Sequence, residues 1–91
     1  MEKIVVEQKE ERGDGWIFDV EVEGATYVVT VPKEYWQKIT GSKEEPESLV
    51  RRSLEFLLAR EPKESILKEF ELPVIQKYFP EYESKITSLQ T

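Results

Sequence analysis

The sequence predicts a single α+β domain over residues 1–91, in which a three-stranded antiparallel meander (residues 3–31) precedes three to four helices (residues 33–87). Three observations carry that expectation. Between residues 16 and 22, "WIFDVEV" alternates apolar and polar side chains, the period of a strand wetted on one face. From Pro32 onward the apolar spacing lengthens to that of a helix. The chain's five prolines all fall in that second half, each where a helix starts or stops.

The first strand is read from "KIVVEQK", with Ile4 and Val6 inward, and "EERGDG" supplies the turn that follows. The "RGD" at residues 12–14 is an adhesion signature in extracellular proteins, but here its residues serve as turn formers. In the second strand Trp16, Phe18, Val20 and Val22 share one face, and Ile17, Asp19 and Glu21 the other. The third strand, "TYVVTV", follows a two-residue turn placed at Glu23 and Gly24 or at Gly24 and Ala25, which pairs Val20 with Tyr27 or with Val29. The expected inner face is Trp16, Phe18, Val20, Tyr27, Val29 and Val31, lying under a long helix.

Pro32 opens a short helix, "KEYWQKIT", with Tyr35, Trp36 and Ile39 on one side and Gly41 as its C-terminal cap. Pro46 opens the long helix and Pro62 ends it, with Ser42 and Glu45 placed as a capping box ahead of it. A further helix is expected over "KESILKEF" (residues 63–70), with a stripe of Ile66, Leu67 and Phe70. Another is expected over "VIQKYF", with Val74, Ile75, Tyr78 and Phe79 aligned. Tyr82, Ile86 and Leu89 mark a final turn or two.

The composition narrows function. With no cysteine and no histidine, disulfides, thiol nucleophiles, the usual zinc ligands and the commonest general base are all missing. Ser42, Ser48, Ser53 and Ser65 therefore have no histidine to activate them, and neither a phosphate loop nor a nucleophile elbow occurs. A non-catalytic protein with no cofactor and no metal is expected. No apolar run approaches the roughly 18 residues of a membrane span, which points to a cytoplasmic protein without membrane contact. The net charge of −6 repels phosphate, so nucleic acid is not the expected partner.

Candidate sites follow from the same residues. Asp19, Glu21 and Glu23 share a strand face about 7 Å apart, in reach of a cation, yet a flat row lacks the concave loop that calcium requires, and Lys3 and Lys9 are the expected cross-strand partners. The aromatics Tyr35, Trp36, Tyr78, Phe79 and Tyr82 lie at helical spacing with aliphatics, so they are assigned to the core rather than to base stacking. Arg51 and Arg52 with Glu55 form an expected surface charge cluster.

The order strand "TYVVTVP", helix "KEYWQKIT", helix "ESLVRRSLEFLL" resembles the ribbon-helix-helix family of bacterial DNA-binding dimers over residues 26–60. That resemblance implies base contacts from Thr26, Val28 and Thr30, or from Tyr27, Val29 and Val31, with Arg51 and Arg52 as further DNA contacts and a phosphate anchor at "KEEPES". The side chains present depart from it: no Arg, Lys, Asn or Gln stands among the readers, and Glu44, Glu45 and Glu47 occupy the anchor. Residues 15–58 also resemble the HicB-like antitoxins, in which an acidic protein with a short sheet and a helix blocks a basic RNA-cleaving partner. The glycine-rich loop and later strand of that family are missing here. The expected function is a small acidic protein-binding module, antitoxin-like or a subunit of a larger assembly, with a DNA-binding regulator as the alternative.

Self-association is expected through the long helix. At 100° per residue its apolar side chains fill an arc of about 200°, twice what one core buries. Leu49 and Phe56 on one flank and Leu58 on the other are the candidate homodimer interface.

Overall fold

The computed structural model describes residues 3–88. Leu89, expected to continue the last apolar stripe, lies outside the described residues. The chain is an α+β protein whose elements run β1 (Ile4–Arg12), β2 (Gly15–Val22), β3 (Ala25–Pro32), α1 (Lys33–Thr40), α2 (Pro46–Leu58), a 3₁₀ turn (Lys63–Ser65), β4 (Glu69–Glu71), α3 (Leu72–Tyr78) and α4 (Tyr82–Ser88).

The three expected strands form the antiparallel part of a four-stranded sheet ordered β1-β2-β3-β4. Both hairpins close in two residues. Arg12 pairs with Gly15 around Gly13 and Asp14, and Val22 pairs with Ala25 around Glu23 and Gly24. Glu23 and Gly24 both take positive φ, 46° and 93°, which matches the twist of the flanking strands and sets Val20 opposite Tyr27. The second of the two possible registers is thereby ruled out. In β1 the ladder slips between Gln8 and Glu10, leaving Lys9 as a bulge. Gly15 is required by close approach, since a Cβ there would stand 2.2 Å from the Val31 carbonyl oxygen.

The fourth strand corrects the expected helix over residues 63–70. Only Lys63–Ser65 make a helical turn; the chain then extends, and Glu69–Glu71 pair in parallel with Val28–Thr30. The physical reason is tertiary. β3 had an unpaired edge, and the "EFEL" alternation lets Phe70 and Leu72 go inward while Glu69 and Glu71 stay wet. The next helix accordingly starts at Leu72, ahead of Pro73.

All helices lie on one face of the sheet. Ile4, Val6, Phe18, Val20, Val22, Tyr27, Val29 and Val31 point into that core from the strands, and Leu49, Val50, Leu54 and Leu57 meet them from α2. Trp16, expected in the inner row, is only partly buried and packs edge-on against Trp36 at 5.2 Å between ring centroids. Gly41 caps α1 in the left-handed conformation, as expected. The expected capping box does not form. Glu45 is the N-cap of α2 without a side-chain bond, and Ser42 sits at positive φ in the preceding turn. With Glu45 at the N-cap and Pro46 at the first helical position, the N3 place falls on Ser48, so Ser42 and Glu45 are not the N-cap and N3 pair that a box needs.

Candidate functional site

Two surfaces stand out, the outer face of the sheet and a cleft at the end of α2. On the outer face the register sets Glu7 opposite Asp19 and Val5 opposite Glu21; the ladder begins at Ile4, so neither Lys3 nor Lys9 holds a paired position in it. Lys9 is lost from the ladder because the bulge falls on it. Across β3, Val28 lies between Asp19 and Glu69, and Thr30 pairs with Glu71. Glu23 leaves the row altogether: it sits in the turn, where its carbonyl accepts a hydrogen bond from Lys63 Nζ at 2.9 Å. Among the described residues no group of three or more acidic side chains converges to hold a metal ion.

The two arginines serve the fold. Arg51 Nη1 donates to the Ile4 carbonyl at 2.6 Å, tying α2 to β1. Arg52 donates through Nε and Nη2 to the Glu44 carboxylate at 2.8 and 2.5 Å, and through Nη1 to the Ile86 carbonyl at 3.0 Å. Glu44 also accepts from Ser48 Oγ at 2.6 Å, and its backbone carbonyl accepts from Trp36 Nε1. This largely buried fork holds α4 and the turn before α2 together; it replaces the expected surface cluster with Glu55. The sequence pattern placed both guanidiniums on the polar sector of α2 but could not show that strand and helix carbonyls end beside them.

Of the other DNA-contact candidates, Thr26 is exposed, and Val28 and Thr30 are half-buried on the outer face. Their strand is interior to the sheet. The second edge of β3, which a ribbon shared between two subunits would use, is occupied by β4 of the same chain.

The candidate interface residues differ in how far the chain itself covers them. Leu49 is fully buried and Phe56 nearly so, while Leu58 is half-buried. The Phe56 ring meets Tyr82 at 5.2 Å and Phe79 at 5.9 Å, both edge-on, and the Arg60 guanidinium lies 3.7 Å from its centroid. On the Phe56 flank, the cover that the wide apolar arc of α2 demands therefore comes from α4 and the residues before it, while Leu58 on the other flank stays half-exposed.

The aromatics divide into two groups. Tyr35 donates from its hydroxyl to Glu83 Oε2 at 2.9 Å; burial, and then that carboxylate, keep the phenol neutral far above the usual range. The Tyr82 hydroxyl bonds Ser53 Oγ at 2.6 Å, and burial pushes its pKa up to about 12. These rings, with Trp36, point their polar ends into the fold. Tyr78 behaves differently. It is 66% exposed and, with Leu67 at 49%, lines the second surface, an apolar cleft of about 190 Å³. Leu57, Ile66, Phe70 and Ile75, all buried, form its floor, and Glu61 stands among the lining residues. Sequence reasoning missed this cleft because a helix over residues 63–70 puts Leu67 on the same buried stripe as Ile66 and Phe70. The "EFEL" alternation was the signal that the stripe breaks there.

Fold and surfaces together define an α+β domain with a mixed sheet, one acidic sheet face and one apolar cleft. Comparison with protein-family models, curated proteins and solved structures finds no match.

Proposed function

We propose that this protein is a non-catalytic binding module for a basic protein partner. The observation that supports this reading best is the Glu7–Asp19 pair. Two carboxylates stand directly opposite each other on an exposed sheet face, flanked by Glu21 and Glu69; among the described residues no lysine or arginine pairs with them in the ladder, and Lys68, just before β4, is the one cation lining the same hollow. Like charges so placed work against the fold, by roughly 0.2–1 kcal/mol per pair. A cationic surface laid on the face turns that repulsion into attraction. An antitoxin-like role, in which the partner is a basic RNA-cleaving protein, is one form of this reading; a subunit of a larger assembly is another. The DNA-regulator alternative has less support, because Arg51 and Arg52 are committed to Ile4, Glu44 and Ile86.

The test is affinity purification from the native cell, with the wild-type chain and a Glu7→Lys, Asp19→Lys variant run side by side. The reading expects a basic protein to be retained by the wild type in near-equal amount and to be lost from the variant, while the circular dichroism of the two agrees. Retention of nuclease-sensitive DNA instead would favour the regulator, and equal retention of the basic protein by both chains would remove the sheet face from the account.

A further inference from the structure

The cleft at the end of α2 has a size and chemistry that select an occupant. Its volume of about 190 Å³ falls below the roughly 300–1,000 Å³ of sites that enclose drug-sized ligands and cofactors. It is close to the roughly 150 Å³ in which an apolar cavity holds a single benzene ring. One side chain fits. The floor of Leu57, Ile66, Phe70 and Ile75 brings only hydrocarbon, so that side chain is apolar. Leu67 and Tyr78 at the rim leave large apolar surfaces in water, which an entering group would cover.

Charge decides what accompanies it. Glu61 is the only Asp, Glu, Lys or Arg in the lining, and among the described residues no ion pair or hydrogen bond engages its carboxylate. The nearby cations are occupied elsewhere: Arg60 with Glu81 and the Phe56 ring, Lys63 with Glu23, and Lys68 above the Tyr27 ring. Lys77 is exposed on α3 but is not part of the lining. The mouth thus carries unbalanced negative charge, on a protein whose net charge is −6.

We infer that this cleft docks one bulky apolar side chain, leucine or phenylalanine in kind, from a peptide segment of the partner that carries a lysine or arginine beside it for Glu61. The inference rests on the reading that the partner is a basic protein, and it adds an apolar anchor to the charge attraction.

The experiment is an amide NMR titration with three lysine-rich synthetic peptides that differ only in a central Phe, Leu or Ala. The Phe and Leu peptides should shift Glu61, Leu67 and Tyr78, and the Ala peptide should bind at least tenfold more weakly. Leu67→Asp, a change at an exposed position, should remove the preference for Phe over Ala. Glu61→Gln should weaken the Phe peptide severalfold and flatten its salt dependence. If all three peptides bind equally, with shifts confined to Asp19, Glu21 and their neighbours, the cleft inference falls while the basic-partner reading stands. Absence of binding by every peptide at millimolar concentration overturns the inference as well.

Discussion

The hydrogen bond between Ser53 and Tyr82 joins α2 to α4, and its removal gives a sharp test of how the last helix is held. Both residues are fully buried, and Ser53 Oγ lies 2.8 Å from the Leu49 carbonyl as well as 2.6 Å from the Tyr82 hydroxyl. The serine proton goes to the carbonyl, so the tyrosine is the donor to Ser53. Tyr82→Phe therefore deletes one bond but keeps the ring against Phe56, and should cost about 1 kcal/mol. Ser53→Ala strands a buried donor. That costs about 1–3 kcal/mol, offset by roughly half a kcal/mol of helix propensity that alanine returns. In the double variant no donor is left stranded, so its cost should fall short of the sum by about 1–2 kcal/mol. Urea denaturation at neutral pH measures all four chains, with the midpoint shifting at constant slope. Additive losses, with a coupling below about 0.3 kcal/mol, would show that α4 is not docked through this bond.

Two further expectations follow from the same structure. Gly15→Ala sets a Cβ 2.2 Å from the Val31 carbonyl oxygen, whereas one at Gly13 meets nothing within 4 Å. The first should therefore lower stability by about 1–3 kcal/mol and the second by no more than about 0.5 kcal/mol, as read by thermal melts. Tyr82, held up to about 12 by burial, and Tyr35, held higher still by burial and Glu83, both stay neutral in the folded chain after free tyrosine, near a pKa of about 10, has ionised. Above about pH 10 the unfolded state thus binds fewer protons than the folded one, and stability falls as pH rises through the folded values. The urea midpoint should hold steady below about pH 10 and drop between about 10 and 12, with a shallower drop in Tyr82→Phe. A midpoint that does not move over that range would contradict the burial of both phenols.

Much of the architecture was written locally. The alternation of residues 16–22, a glycine in each two-residue turn, and prolines 32 and 46 with Gly41 determined the meander, α1 and the start of α2, because strand period, positive φ and helix ends depend on a few adjacent side chains. The acidic row at Asp19 and Glu21 was equally visible, since alternation alone sets the face of a strand residue. Tertiary structure decided the remainder. Residues 66–71 carry apolar spacing that a helix or a strand can use, and the open edge of β3 drew them into β4, which freed Leu67 to line the cleft. Arg51 and Arg52 look like surface charge until the carbonyls of Ile4 and Ile86 and the carboxylate of Glu44 arrive from distant parts of the chain. The apolar arc of α2 called for a second cover, and its spacing was silent on whether another subunit or the last helix of the same chain supplies it. Periodicity records how much of a helix must be buried; only the packed chain shows what buries it.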